Sequence, residues 1–239
     1  MEKHLFPCQV KGHDQKEGAI MDFKKLKKRL SRLDTACLCD ASKTIRVMDP
    51  EIKPVVQGIK MIGIARTVHC RGDFLSVIKA LQEAEENEVL VIDAEGDKVA
   101  FAGEMFATEA QRKKLSGMVI DGGCRDVRQI RKIRFPVYAR CHTPMAGGAS
   151  QIFNTQVKIN CGGVPVSPGD IIFGDNDGIV VMSEEEMTTT LEIAESVQKI
   201  EGKVLKKMEG NTSLFLLMNF SDHYERISKG QESKLTFTI

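Results

Sequence analysis

The sequence contains no tryptophan and only 2 tyrosines in 239 residues, and it has almost no excess of either charge. Lys and Arg together number 34 and Asp and Glu together number 33, which leaves a formal net charge of +1. Single-stranded nucleic acids are commonly bound by exposed aromatic rings, and phosphate backbones by a surplus of basic side chains. We therefore expect no nucleic-acid partner.

Long apolar runs and paired cysteines are also absent. No stretch approaches the roughly 20 apolar residues that span a bilayer, and the first residues, Met-Glu-Lys-His-Leu-Phe, lack the apolar core of a secretion signal. We expect no membrane association and a cytoplasmic location. The 7 cysteines show no Cys-x-x-Cys spacing typical of zinc sites, and we interpret them as free, mostly buried thiols in a reducing compartment.

Apolar periodicity divides the chain into an extension, a central region and a tail. Residues 1–22 have no periodic apolar face, so we expect a loose N-terminal extension. Residues 23–197 alternate helical and strand-like segments, which is typical of a single α/β domain. Residues 198–239 complete a long C-terminal helix and add a tail. That helix begins after Ser183, whose partner Glu186 three positions later forms a capping-box pattern.

Within the central region, the spacing of apolar residues and the positions of turn residues predict the individual helices and strands. Helices are predicted from residue 23 and at 34–41, 73–81, 103–114 and 127–133. Strands are predicted at 59–68, 89–92, 118–120, 137–139, 157–159, 164–166, 171–173 and 179–182. The pair Asp177-Gly178 predicts a tight hairpin turn before the last strand, because this dipeptide suits positive φ angles.

Segment 117–126, Gly-Met-Val-Ile-Asp-Gly-Gly-Cys-Arg-Asp, is the richest in polar chemistry. We predict a short strand that enters a glycine turn and ends in Arg125 and Asp126. Ligands of open α/β sheets bind outside the carboxyl ends of strands. An arginine can hold a carboxylate there and an aspartate a hard divalent cation. Two purely structural interpretations of Arg125 and Asp126 are equally plausible. The two side chains can form a salt bridge within the turn, or the aspartate can accept N–H groups at the start of a helix.

The loop Gly103-Glu104-Met105-Phe106 is the second candidate, because a glycine opens a predicted helix there. The N–H groups exposed at a helix start can bind an oxyanion, and Glu104 can hold a water near a cation. A glycine at a helix start and a glutamate in a first turn are also ordinary helix chemistry.

Other reactive side chains carry weaker signals. A Schiff-base aldolase needs a buried lysine with a lowered pKa, and Lys98, Lys113 and Lys158 stand in polar surroundings or without a recognisable partner, so we disfavour that chemistry. His69 and His142 lack metal-ligand spacing, and we interpret both as structural or surface histidines. No strand precedes a glycine-rich nucleotide turn, which argues against a methyltransferase with a Rossmann-type cofactor site.

Several motifs occur in a recognisable order along residues 23 to 197. Asp121-Gly-Gly-Cys-Arg125-Asp126 has the arrangement Asp-Gly-x-x-Arg-Asp, and it is accompanied by the Gly103 loop and by segments 34–41, 63–68 and 168–181. Together they resemble the family that joins 4-hydroxy-4-methyl-2-oxoglutarate aldolases with the regulators of ribonuclease activity. One departure is Cys124, which replaces a small aliphatic residue and is expected beside the substrate.

The resemblance implies a swivelling β/β/α fold that assembles as homotrimers or homohexamers, with the active site between subunits. It implies that the amides of Gly103, Glu104, Met105 and Phe106 and the side chain of Arg125 bind the substrate. It further implies that Asp126 ligates a divalent metal and that Glu104 positions a water. Glu192 and Glu195 are candidates for an acidic group from the neighbouring subunit.

The function implied by the resemblance is that of a class II aldolase dependent on Mg²⁺ or Mn²⁺. Such an enzyme cleaves 2-oxo acids of the 4-hydroxy-4-methyl-2-oxoglutarate type to pyruvate, and its catalytic residues here are Glu104, Arg125 and Asp126. Groups that stabilise the pyruvate enolate formed in this cleavage would also support the decarboxylation of oxaloacetate. The alternative is a non-catalytic protein that binds and regulates a ribonuclease, because the same fold serves both roles.

Overall fold

A mixed sheet of nine strands forms the centre of residues 22–239, the part of the chain that the computed structural model describes. The predicted N-terminal extension therefore lies outside the described residues, apart from Asp22. The strands of this sheet and of a separate two-stranded hairpin are β1 (Arg46–Val47), β2 (Lys53–Pro54), β3 (Met61–His69), β4 (Glu88–Asp93), β5 (Ala100–Ala102), β6 (Gly117–Cys124), β7 (Val137–His142), β8 (Ile159–Cys161), β9 (Val164–Val166), β10 (Ile171–Gly174) and β11 (Ile179–Met182).

The strand order of the large sheet is β1-β11-β10-β3-β4-β6-β7-β2, and β5 pairs with the carboxyl end of β6. Strands β3, β4, β6 and β7 run parallel, so their carboxyl ends meet at one edge. Nearly every residue of β4 and β6 is buried, as a parallel sheet covered on both faces requires. The α/β prediction is confirmed.

The described residues also form seven helices: α1 (Phe23–Leu30), α2 (Thr35–Ala41), α3 (Leu75–Glu83), α4 (Glu104–Arg112), α5 (Val127–Ile133), α6 (Glu184–Glu209) and α7 (Phe220–Ser228). Apolar residues of α3, α4 and α5 pack with Leu90 and Ile92 on one face of the sheet. Val89 and Val91 point to the opposite face, where the β8–β9 hairpin covers them. This alternation is the two-residue period of a strand.

The long C-terminal helix is confirmed, and it begins at the predicted capping box. Ser183 Oγ accepts the N–H of Glu186 at 3.2 Å, and the Glu186 carboxylate accepts the N–H of Ser183 at 2.6 Å. Helix α6 continues to Glu209, so residue 197, the predicted end of the central region, lies inside it. No helix in residues 22–239 is long and apolar enough to cross a membrane.

The predicted hairpin turn before the last strand is also confirmed, because β10 and β11 pair antiparallel around it. The N–H of Asp175 donates to the carbonyl of Gly178 at 3.0 Å and closes the turn. Among the turn residues only Gly178 takes a positive φ, 158°. The free-thiol interpretation holds for the described cysteines, which form no disulfide. Four of these six are buried: Cys37, Cys70, Cys124 and Cys161.

The prediction of a glycine turn after residue 120 is wrong, because β6 continues through it to Cys124. Gly122 and Gly123 lie inside the strand, where neighbouring segments approach closely. A Cβ atom on Gly123 would lie 2.6 Å from the carbonyl oxygen of Val99, and one on Gly122 would lie 2.9 Å from the Cβ of Ala94. These glycines are therefore required by close packing and not by a turn.

Other differences concern short or peripheral elements. Strand β8 begins two residues later than the predicted 157–159, and β1, β2 and β5, of two or three residues each, were not predicted. The predicted tail contains a 3-10 turn at Leu214–Leu216 and helix α7. Strands this short contain too few residues to show an alternation of apolar and polar side chains. They are strands because a neighbouring strand pairs with them.

Candidate active site

A cavity of about 270 Å³ opens where the carboxyl end of β6 meets the start of α4. Arg125 and Asp126, which follow β6 directly, form one side of its mouth together with Gly103. The structure thus brings together the two polar segments that the sequence singled out. The cavity lies at the carboxyl edge of the parallel strands, where ligands of open α/β sheets bind.

Arg125 and Asp126 form a loose ion pair at this mouth, with 3.6 Å between Arg125 Nε and Asp126 Oδ2. Their side chains are 44% and 41% exposed, so neither is sealed in the interior. The N–H of Arg125 donates to the carbonyl of Ala102 at 3.1 Å, which ties the pair to β5. Asp126 takes a left-handed φ of 57° as the residue before α5. A salt bridge in the turn is therefore present, and it leaves room beside the pair.

The start of α4 is in direct contact with that pair. The N–H of Glu104 donates to Asp126 Oδ2 at 3.2 Å, so the aspartate accepts a helix N–H, but from α4 and not from the α5 that follows it. A Cβ atom on Gly103 would lie 2.5 Å from Asp126 Oδ2 and 2.9 Å from Arg125 Cγ. Glycine at position 103 therefore allows the carboxylate to reach the helix start.

The walls of the cavity are apolar, and most of the residues that form them could not be predicted from the sequence. Phe74 precedes α3, Ile78 lies on α3, and Ala146 comes from the loop after β7. The rings of Phe74 and Phe106 meet edge to face with centroids 5.8 Å apart. Met105, predicted to bind substrate, lines the mouth with 76% of its surface exposed.

Asp73 holds the loop that carries Ala146 against the cavity. Asp73 precedes the N-cap residue Phe74 of α3, and its Oδ1 accepts the N–H of Leu75 at 2.8 Å. Its Oδ2 also accepts the N–H groups of Ser150 and Gln151, at 2.6 and 3.0 Å. Burial of the Asp73 carboxyl raises its pKa, but these N–H groups outweigh that effect and leave the pKa below its ordinary value.

Asp121, the first residue of the signature, does not line the cavity. Its carboxylate is buried, and it accepts Arg140 Nε at 2.6 Å and the N–H of Gly162 at 2.6 Å. Its position fits a structural role, because it links β6, β7 and the β8–β9 turn. The side chain of Cys124 is wholly buried in the core and does not line this cavity, but Cys124 borders a second, shallow hollow next to Arg125 and Asp126, so its place beside the substrate stays a prediction. Burial raises the pKa of Cys124 to about 12.

The histidines and lysines of residues 22–239 lie outside the apolar cavity. His142 borders a shallow hollow on the other side of the Arg125–Asp126 pair, where burial lowers its pKa and the charge of Arg131 lowers it further. His69 lies 3.4 Å from Asp93 Oδ2 and 3.6 Å from Glu95 Oε1, two neighbours that the sequence did not indicate. Among the described residues no lysine lines the cavity.

The donor set suits a hard cation that keeps most of its water. No group of three or more His, Cys, Asp or Glu side chains in residues 22–239 could hold a metal ion. Asp126 Oδ2 accepts one N–H, and Oδ1 forms no hydrogen bond to a described residue. Mg²⁺ is commonly held by one or two carboxylates plus water and substrate oxygens. Asp126 beside an open cavity fits that pattern.

Comparison with known proteins identifies the family of this chain. The family described as RraA-like, Aldolase/RraA, matches residues 35–181. The chain belongs to the RraA-like family. A relative from Halalkalibacterium halodurans, provisionally named a 4-hydroxy-4-methyl-2-oxoglutarate aldolase, is 38% identical over 168 residues, which are 70% of this chain and 80% of the relative. The resemblance noted in the sequence is thereby confirmed.

Solved structures of RraA proteins share this fold. The RNA-processing inhibitor RraA from Thermus thermophilis superposes with a TM-score of 0.59 at 26% identity, covering 63% of this chain and 92% of that one. RraAS2 of Streptomyces coelicolor, titled an unusual member of the RNase ES inhibitor RraA family, gives 0.66 at 26% identity, covering 77% and 98%. The family thus includes proteins named as aldolases and proteins named as inhibitors of RNA processing.

Proposed function

We propose that this RraA-like protein is a divalent-metal-dependent aldolase that cleaves 4-hydroxy-2-oxo acids of the 4-hydroxy-4-methyl-2-oxoglutarate type to pyruvate. The observation that carries the proposal is the convergence of Arg125, Asp126 and the start of α4 on the mouth of one cavity. A guanidinium, a carboxylate and free helix N–H groups are the groups needed to bind a small 2-oxo acid. The name of the Halalkalibacterium relative supports the same activity.

In the proposed reaction Arg125 binds the C1 carboxylate through its paired N–H groups. Glu104, exposed in the first turn of α4, holds the water that takes the proton from the 4-hydroxyl group. The C3–C4 bond then breaks, its electron pair moves to C3, and C4 becomes a carbonyl carbon. N–H groups of Met105 and Phe106 have no partner inside the helix and stabilise the enolate oxygen. Protonation at C3 completes pyruvate.

Asp126 is the residue that would hold Mg²⁺ or Mn²⁺, and the N–H of Glu104 orients its carboxylate. A bound divalent cation would supply the positive charge that draws electrons toward the 2-oxo group. The same site would decarboxylate oxaloacetate, because loss of CO₂ from its C3–C4 bond leaves the same enolate of pyruvate.

The test is pyruvate release from 4-hydroxy-4-methyl-2-oxoglutarate and from oxaloacetate in the presence of Mg²⁺. We expect Arg125→Ala and Asp126→Ala to lower kcat/KM by about 100-fold or more. Arg128→Ala is the matched control, because Arg128 is exposed on α5 and does not line the cavity. Equal activity in wild type, Arg125→Ala and Asp126→Ala would remove the proposed roles.

The second candidate function is regulation of a ribonuclease by direct binding. It is favoured by the likeness to the Thermus and Streptomyces proteins, which are named as members of a family of inhibitors. Inhibition of a purified ribonuclease, without pyruvate release from either 2-oxo acid, would support this candidate over the aldolase.

We also propose the homotrimer or homohexamer that the resemblance implies, with mass measurement in solution as its test. Of the two acidic candidates for the neighbouring site, Glu195 is engaged within its own chain. Its carboxylate accepts Arg29 Nε at 2.7 Å and Arg29 Nη2 at 2.8 Å. This bidentate pair disfavours Glu195 as a group supplied in trans.

A further inference from the structure

Helix α6 has two apolar faces, and the described residues of its own chain bury only one of them. The buried face packs with side chains of α1, α2, β10 and β11, and it consists of Met187, Leu191 and Ala194. The second face, here called the open face, consists of Ile193, Val197, Ile200 and Val204. Ile193 and Ile200 are 52% and 40% exposed, and of the four only Val204 is buried. The intervals of four, three and four residues are those of a coiled-coil seam, which packs against another helix.

The end of α6 extends past the residues that cover its start. Leu205 follows Leu191 after nearly four full helical turns, so the two side chains point to about the same side of the helix. Leu191 is 2% exposed, whereas Leu205 is 59% exposed. The tail continues this bare region, because eleven of the seventeen exposed large apolar side chains in residues 22–239 lie after residue 192. Exposed apolar surface concentrated in one region is typical of an interface with another protein chain.

The charges of α6 favour a second copy of the same helix as the partner. Residues 184–197 contain five glutamates and no lysine or arginine, whereas residues 198–209 contain four lysines and two glutamates. Two α6 helices packed in parallel would place like charges side by side. In an antiparallel pair the acidic half of each helix meets the basic half of the other, which is the complementary arrangement.

The sequence also specifies the register of such a pair. Glu186, Ile193, Ile200 and Lys207 follow one another at intervals of seven residues, so they lie along one side of the helix. The midpoint between Ile193 and Ile200 is also the midpoint of α6. An antiparallel pair centred there places Ile193 of each copy opposite Ile200 of the other and overlaps the two helices along their whole length. The bare end of each α6 then lies beside the covered start of the other.

We infer that α6 pairs antiparallel with α6 of a second copy of this chain, around a two-fold axis between Ile193 and Ile200. The same face serves both copies, so the contact closes on itself. Combined with the proposed homotrimer, it joins two trimers into a hexamer, and without a trimer it gives a dimer. In either case the protein assembles in even numbers of copies. The inference does not depend on the aldolase function.

Analytical ultracentrifugation of the full-length chain tests the contact. We expect the wild-type mass to be that of an even number of copies. Ile200→Glu should halve this mass, because the contact would bury a carboxylate against apolar side chains. Ile200→Leu is the matched control, since leucine keeps an apolar side chain at the same position, and its mass should equal that of wild type. Circular dichroism checks that both variants fold, which the 40% exposure of Ile200 favours.

Disulfide cross-linking tests the register. We expect the double variant Ile193→Cys/Ile200→Cys to form a covalent dimer on mild oxidation, detected by non-reducing electrophoresis, because position 193 of one copy lies beside position 200 of the other. Within one helix the two positions are about 10 Å apart, too far for a disulfide within a chain. Each single variant, Ile193→Cys or Ile200→Cys, should run as a single chain, because its new thiol faces an isoleucine. Wild type is the control for the native cysteines.

Three results would overturn the inference. A wild-type mass of one or three copies, or a folded Ile200→Glu protein with the wild-type mass, would exclude the contact. Cross-linking of either single variant as efficiently as the double variant would show a parallel pair. A mass that increases only after removal of residues 1–21 would show that this segment of the chain, and not a second copy, covers the open face. None of these measurements involves pyruvate release, so the aldolase function stands or falls separately.

Discussion

The backbone N–H of Glu104 donates a hydrogen bond to Oδ2 of Asp126 at 3.2 Å, although the two residues belong to different motifs of the sequence. The bond joins the start of α4 to the end of β6. It places the carboxylate at the amino-terminal end of α4, which is the positive end of the helix dipole. The two motifs are therefore one site in space.

Gly103 is expected to be essential to that site because there is no room for a side chain. A Cβ atom on Gly103 would lie 2.5 Å from Asp126 Oδ2, so Gly103→Ala must displace the pair. A displacement of about 1 Å can cost about 100-fold in rate, and we expect that loss in kcat/KM for pyruvate release. Gly202→Ala is the control, because a Cβ atom there meets nothing within 4 Å. Full activity in Gly103→Ala would contradict this packing argument.

Asp121 is expected to affect stability and not substrate binding. It bonds Arg140 at 2.6 Å with 7% of its own side chain exposed, so Asp121→Asn takes from this partly buried guanidinium the closest and most buried of its three anions. Breaking such a pair costs about 3 kcal/mol of unfolding free energy. Glu51→Gln is the control, because Glu51 contacts the same Arg140 with 72% of its side chain exposed, and its loss should cost about 0.5 kcal/mol or less. Urea denaturation measures both, and similar losses would refute the assignment.

The contribution of Asp73 should depend on pH. Its folded pKa lies below the ordinary value, so the stability it adds is present above about pH 4, the unfolded pKa of an aspartate, and is lost as pH falls through the folded value. The gap in urea midpoint between wild type and Asp73→Asn should therefore be widest near pH 6 and shrink toward pH 2. Asp40→Asn, which removes an exposed pair with Lys43, serves as the control. A difference in urea midpoint that does not change with pH would show that the charge of Asp73 does not contribute to stability.

Cysteine burial predicts an order of alkylation among the six described thiols. Burial raises the pKa of Cys70 and Cys124 to about 12, and Cys161 is fully buried. Thiols of this kind react slowly because the thiolate is the nucleophile. We expect iodoacetamide at pH 8 to label the half-buried Cys141 first and these three only after denaturation. Peptide mass spectrometry measures the order, and early labelling of Cys124 would mean that β6 opens readily.

Local pattern was sufficient for the longer elements of the fold. Helix α6 was predicted because its capping box and apolar stripe lie within one segment of sequence. Strand β4 was predicted because a continuous apolar run marks a strand buried on both faces. Strand β5 was not, because its three residues become a strand by pairing with the end of β6. Strand β6 was predicted to end at residue 120, before Gly122 and Gly123. Its last residues are also part of a strand because neighbouring strands pair with them.

The candidate site was predictable only where its residues are contiguous. Arg125 and Asp126, and the loop at Gly103, are short motifs whose chemistry is visible in the sequence. The aromatic wall was not visible, because Phe74 meets Phe106 only after folding. The structural role of Asp121 was not predicted, because its partner, Arg140, lies on the neighbouring strand and cannot be inferred from spacing.

The most direct test of the central proposal is a crystal structure of the protein soaked with pyruvate and Mg²⁺. The proposal predicts the pyruvate carboxylate within hydrogen-bonding distance of the Arg125 guanidinium, and Mg²⁺ about 2.1 Å from an oxygen of Asp126. Pyruvate bound elsewhere at saturating concentration, with Arg125 and Asp126 still paired only with each other and with Glu104, would contradict it.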